Sequence, residues 1–193
     1  MIGLEKGKVR VVAYDKEWET MFLLERNEVA NLLKSKRINA IIEHVGSTAV
    51  PGLASKPIVD IAIGLKKRSD LGNVLRVLKD KGRDYVKAAN QPGMLFMAKG
   101  SPRIYHYHLV VFGSPAWTKL IIFRDYLRRH KGVAQEYGNL KIILAQKYPD
   151  SRLEYMKHKR LLLLAIMNRA YWEAEQRRHT TAIRRKAQIQ ESY

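Results

Sequence analysis

The chain has 193 residues, no cysteine, and 36 Lys plus Arg against 18 Asp plus Glu, a formal net charge of +18. That length suits one domain with enough buried surface to fold unstapled. The missing cysteine excludes a disulfide scaffold, a Cys-ligated zinc, an iron–sulfur cluster and thiol catalysis. The charge favours a polyanionic partner, but residues 1–60 carry only +1, so the basic excess begins after residue 60.

Residues 8–13 (KVRVVA) read as a short strand by their β-branched content. Asp15 is placed to cap a helix over about 16–36, with Trp18, Phe22, Val29 and Leu33 on its apolar stripe. Residues 39–45 read as a strand running into Gly46-Ser47, and a loop with Pro51, Gly52 and Pro57 follows. Residues 58–65 (IVDIAIGL) are nearly all apolar, the mark of a strand covered on both faces. A helix fits about 69–82, ended by Gly82, then strands at about 84–87, 94–99 and 104–112. Ser114-Pro115 opens a helix over about 115–130, and further helices fit 132–147 and 151–176, the last with Ser151 and Glu154 in capping-box spacing. The order predicts an α/β (α+β) core over about 1–113 and a helical layer over about 114–176. The basic tail, 177–193, is polar with weak periodicity and is expected to fray or to need a partner. The first ten residues lack the apolar core of a secretory signal. The longest apolar run, Leu161–Met167, falls well short of the ~20 residues that a membrane span needs. The expectation is a cytoplasmic protein with no membrane contact.

Chemistry concentrates in EHVGSTAVPGLASKPIVDIAI, residues 43–63. Gly46-Ser47 follows a strand, where glycine allows close backbone approach and a hydroxyl with free N–H groups can hold phosphate. It is not a Walker A loop, because Leu53 stands where lysine should be. Lys56 could neutralise a phosphate. The same glycines and prolines could instead only shape a tight connection. Asp60 is a carboxylate inside an apolar strand, which demands a partner. Period two puts it on one face with Ala62 and Gly64. His106 and His108 share a face of the 104–112 strand and could chelate one metal, flank one phosphate, or form a hydrogen-bonded pair. With Asp60 they make a two-His-one-carboxylate set. Arg124 and Arg128 lie one helical turn apart and could clamp phosphate or sit on a solvated face. Asp125 and Arg129 have i,i+4 ion-pair spacing. Lys141, Tyr155 and Lys159 carry the same ambiguity, and His44, His130, His158 and His179 are isolated.

HVGSTAVPGLASKPIVDI, the HYHLVV strand and FRDYLRRH…EYGNLK together resemble the GrpB family, from about Val9 to Ala174. That resemblance implies a nucleotidyltransferase-like fold, a mixed β-sheet with flanking helices, as in the superfamily of DNA polymerase beta and kanamycin nucleotidyltransferase. It implies that Gly46 and Ser47 hold nucleotide phosphate. It also implies an acid pair on the next strand and a third acid on a neighbouring one, binding two Mg²⁺ for attack on an α-phosphate. Here the first acid is Asp60, the second position is Ala62, and the third strand offers His106 and His108. Imidazoles suit zinc, iron, nickel or manganese better than magnesium. The implied ligand is a nucleotide or another phosphorylated small molecule, with one divalent metal on Asp60, His106 and His108. If the protein is active, the class is nucleotidyl or phosphoryl transfer. The alternative is a non-catalytic module whose basic surface binds RNA or a protein. The strand MLFMAKG is apolar where family members often place a polar residue, which argues against a ligand contact from it.

Overall fold

A computed structural model describes residues 2–190, with side chains through 181. The first helix, α1 (Glu17–Ser35), is followed by β1 (Ala40–Val45), a 3₁₀ turn at Ser47–Ala49 and β2 (Val59–Leu65). Next come α2 (Asp70–Lys79), β3 (Asp84–Tyr85), β4 (Met94–Lys99) and β5 (Tyr105–Val111). Three helices close the chain: α3 (Pro115–Arg129), α4 (Lys131–Lys147) and α5 (Arg152–Gln190). Ser114 caps α3 by accepting from the Trp117 amide at 3.3 Å, and Ser151 accepts from the Glu154 amide at 3.4 Å. Asp15 accepts from the Glu17 amide at 2.9 Å, one residue ahead of the observed cap at Lys16.

The five strands form one mixed sheet in the order β1-β2-β5-β4-β3. Only β2 and β5 are parallel, and their register sets Asp60 opposite His106 and Ala62 opposite His108. One face of the sheet is covered by Trp18, Phe22, Val29 and Leu33 of α1 and by Val74 and Leu78 of α2. They meet Ile61, Ile63, Tyr107 and Leu109, and each such buried side chain contributes about 1.5–3 kcal/mol relative to exposure. Arg83 runs into this layer and bonds Glu25 at 2.5 Å and Glu28 at 2.7 Å. Tyr107 and Lys99 complete the pairing of Glu25, each at 2.6 Å. The opposite face is covered at one end by Trp117 of α3, packed on Val45, Ala62 and Val110. The Asp60 end of that face stays open to a cleft.

The helical layer is tied to the core through the β1–β2 connection. Val50 and Leu53 pack with Leu127, Tyr137 and Ile166 of α3, α4 and α5. Two expectations fail here. Residues 8–13 are no strand: Val12 makes a single bridge with Ser55, and the Val9 amide bonds the Pro149 carbonyl at 2.7 Å. The apolar alternation is satisfied by α4 and α5, where Val9 packs on Leu144 and Tyr155, so it needs no sheet partner. The last helix also does not stop at 176, because α5 runs on to Gln190. No Gly or Pro interrupts residues 177–190, and their Ala, Arg, Lys and Gln are good helix formers. Met1 and residues 191–193 lie outside the described residues, as do the side chains from 182 onward.

Candidate functional site

Asp60 is the centre of the open end of the sheet. Its Oδ1 is 3.3 Å from His106 Nδ1 and 3.1 Å from His108 Nε2. The two-residue spacing of the histidines and the parallel register together produce this contact. Burial pushes the Asp60 carboxyl up, but the bonds from His106 and His108 outweigh it and hold the group well below the usual carboxylate range. The other oxygen faces Gly46, whose φ is 70 and ψ −165. A Cβ on Gly46 would lie 2.5 Å from Asp60 Oδ2. Glycine is therefore required there both by backbone angle and by space. His108 Nδ1 is buried without a hydrogen-bond partner among the described residues. Phe96 of β4 packs against both imidazoles, with ring centroids 4.8 and 5.5 Å away. The apolar β4 therefore does reach the site, through a ring rather than a polar group.

Facing Asp60 is a wall of lysines brought from three parts of the chain. Lys56 ends the β1–β2 connection, Lys141 comes from α4 and Lys159 from α5, and all three line one chamber of about 110 Å³ with Ser47 and Tyr155. Lys141 is only 3% exposed. Its Nζ is 3.5 Å from Ser55 Oγ and 4.6 Å from the Tyr137 ring centre. Lys56 lies 4.3 Å over the Tyr155 ring and Lys159 5.4 Å from it. Burial pushes Lys56 down to about 8, with Lys159 and Arg152 adding to the shift and Asp60 opposing it. Burial also pulls Lys159 down. It pulls Lys141 well below the lysine range, with Lys159 and Lys56 reinforcing and Asp60 opposing. A wider chamber of about 500 Å³ shares Lys56, Asp60, His106 and Lys159 with the first, and adds His108, Phe96, Arg103 and Arg152.

Gly46, Ser47, Lys56, Asp60, His106 and His108 are thus brought together, but Arg124 and Arg128 are not. Arg124 is buried and pinned by Glu43 at 2.7 Å, Asp125 at 2.8 Å and the His44 carbonyl at 3.0 Å. Arg128 donates to the Ala49 carbonyl at 2.8 Å. Both line a separate cavity of about 190 Å³ with Tyr14, Phe22 and His44. Arg124 thus holds the end of β1 and Arg128 the 3₁₀ turn. Asp125 bonds Arg124, not Arg129, and Arg129 pairs with Glu173 at 2.9 Å. His44 stacks on Phe22, His130 bonds Glu173 and His158 stacks on Tyr148, all structural roles. Ser55 and Tyr137 join the site without having stood out in the sequence. Neither has a local signal beyond its residue type.

The donor set does not fit the two-magnesium centre that the family resemblance implies. Ala62 is fully buried and offers no oxygen, and the neighbouring strand offers nitrogen where that ion prefers oxygen. Asp60 Oδ1 is already shared by two imidazoles. Among the described residues no group of three or more His, Asp or Glu is arranged to hold a metal ion.

A five-stranded mixed sheet with helices on its faces, a Gly-Ser turn after its first strand and a carboxylate on the next define an α/β protein. Within that class the chain belongs to the GrpB family, whose sequence model, described as "GrpB protein", matches residues 8–169. The chain is similar to the crystal structure of conserved protein GrpB from Enterococcus faecalis, with 31% identity and a TM-score of 0.76 over 84% of this chain and 99% of that one. It is 34% identical over 155 residues to the UPF0157 protein YqkA of Bacillus subtilis, covering 80% of this chain but 45% of that relative's length. A chain of the GLD-2/RNP-8 complex aligns with 13% identity over 70% of this chain and 45% of its own, at a TM-score of 0.49, too slight a likeness to add to the fold. No helix among the described residues is long and apolar enough to cross a membrane.

Proposed function

We propose that this protein binds a nucleotide or another phosphorylated small molecule in the cleft between the sheet and the helical layer. The observation that carries this reading is the opposition of Lys56, Lys141 and Lys159 to a single carboxylate, Asp60, that is already engaged by His106 and His108. Phosphate oxygens would meet the lysines and the Ser47 hydroxyl. Asp60 would keep the imidazoles oriented, leaving a His106 ring nitrogen to hold or pass a proton at the bound group. If the protein is catalytic, this arrangement suits phosphoryl or nucleotidyl transfer.

Thermal-shift and calorimetric measurements with nucleoside mono- and triphosphates and sugar phosphates test the reading. At least one should raise the Tm by mass action, and a Lys56→Met/Lys159→Met variant should lose at least tenfold in affinity. Binding should persist in chelator. Manganese-dependent binding that disappears in Asp60→Ala would restore a single metal on Asp60, His106 and His108. If no compound in the panel binds, while RNA binds with a steep salt dependence from counterion release, the basic-module alternative replaces this one.

A further inference from the structure

Lys141 poses a problem that the Asp60 triad does not solve. It is a lysine with 3% exposure. Among the described residues its hydrogen-bond partner is Ser55 Oγ, at a long 3.5 Å. Among the same residues no carboxylate lies within ion-pair distance of Lys141, Lys56 or Lys159. An ammonium at such a site loses hydration that one hydroxyl and the face of Tyr137 do not replace. Its neighbours make the charge still less welcome: Lys56 and Lys159 stand beside it, and Asp60 opposes them alone.

A hydrophobic or neutral residue would fill the same place on α4 at no electrostatic cost. The inward placement of an amine makes sense if an anion completes the chamber. The chamber of about 110 Å³ is several times the ~10–15 Å³ that a single water needs, room for one tetrahedral oxyanion group. With an anion bound to restore the charge on Lys141, three ammonium groups face one carboxylate in the inner chamber, an excess of two positive charges. A terminal phosphate has a second pKa of about 6 and carries close to two negative charges at pH 7, so it balances that excess. An internal phosphodiester carries one and leaves Lys141 uncompensated. The wider chamber adjoins through shared Lys56, Asp60 and His106, and presents Phe96 and Arg103 to whatever the phosphate is attached to.

We infer that the inner chamber is a receptor for a doubly ionised terminal phosphate, so that the ligand of this cleft is a phosphomonoester or a nucleotide held by its end phosphate, with Lys141 as the anchoring residue. This rests on the phosphate-ligand reading above and narrows it. The ligand enters phosphate first, and its organic part stays in the wider chamber beside Phe96. Nucleic acid held by its internal phosphates is not a ligand of this site.

Calorimetry and thermal shift with inorganic phosphate, phenyl phosphate and methyl phenyl phosphate at pH 7.5 test the inference on the full chain. Phenyl phosphate should bind at least tenfold tighter than the diester, and inorganic phosphate should raise the Tm. Lys141→Met should lower phenyl phosphate affinity to the level of the diester. The free variant should melt no lower than the parent, since it sheds a buried unpaired amine. Lys141→Arg supplies a second, still cationic variant should the methionine fail to fold, and it should retain the preference for the monoester in part. Equal affinity for monoester and diester, or an unchanged affinity in Lys141→Met, overturns the inference and leaves the broader function standing. Binding of nucleotides without binding of phosphate or phenyl phosphate overturns it in the same way. Failure of these probes and of every nucleotide and sugar phosphate overturns both.

Discussion

Replacing Gly46 by alanine tests the geometry of the site at its narrowest point. At φ 70 and ψ −165 the backbone occupies a region that is essentially restricted to glycine, which costs other residues about 1–3 kcal/mol. The new Cβ would lie 2.5 Å from Asp60 Oδ2 and 2.9 Å from Asp60 Cβ. Asp60 has no free direction in which to give, because its Oδ1 is held by His106 and His108. Loosening one of those charged hydrogen bonds costs about 1.5–3 kcal/mol more. Gly46→Ala should therefore lose about 3–5 kcal/mol, a large share of the stability of an ordinary domain. Gly52 is the control. Its φ is 80, but nothing lies within 4 Å of the added Cβ, so Gly52→Ala carries backbone strain alone, about 1–2 kcal/mol. Urea denaturation followed by far-UV circular dichroism measures both, and imidazole resonances of His106 and His108 report whether Asp60 has moved. If the two variants agree to within about 0.5 kcal/mol, with the imidazole resonances unmoved, then Asp60 does not press on Gly46 and this geometry is wrong.

Two further predictions concern the surroundings of the site. Arg83 is 1% exposed and pairs with the buried Glu25, so Arg83→Met removes one charged bond from a carboxylate that keeps Lys99 and Tyr107 and should cost about 1.5–3 kcal/mol. A variant as stable in urea as the parent would contradict the network. Burial lowers His44 to about 4, with Arg128 and Arg124 assisting and Asp60 opposing. Between the ordinary histidine value and pH 4 the unfolded chain binds a proton that the folded chain refuses. Stability therefore falls as pH drops through that window, by up to about 3 kcal/mol. His44→Gln should flatten this slope in urea midpoints measured from pH 7 to 4, and an unaltered slope would show that His44 is not the group responsible.

Much of the local structure is legible in the sequence. The apolar run 58–65 forms β2, Ser114-Pro115 opens α3, and the spacing of His106 and His108 places both rings on one face. Residues 8–13 mislead because alternating apolar residues describe an extended segment equally well whether its neighbour is a strand or, as here, the ends of two helices. The end of the last helix is misplaced because the polarity of residues 177–190 masks their helix propensity.

The sequence by itself determined that Asp60 had to find a partner, since a carboxylate in an apolar strand cannot stay unpaired. It also determined that two imidazoles would point the same way. It did not determine that they would meet, because the parallel pairing of β2 with β5 joins segments more than forty residues apart and leaves no local mark. Nor could it separate Arg124 from Lys141, two basic residues on amphipathic helices. Packing decided between them: α3 turned Arg124 onto Glu43 and the His44 carbonyl of β1, while α4 turned Lys141 toward Ser55 and the chamber it shares with Lys56 and Lys159. A charge on a helix declares its sign in the sequence, but its counter-charge is chosen by whichever surface the helix comes to rest on.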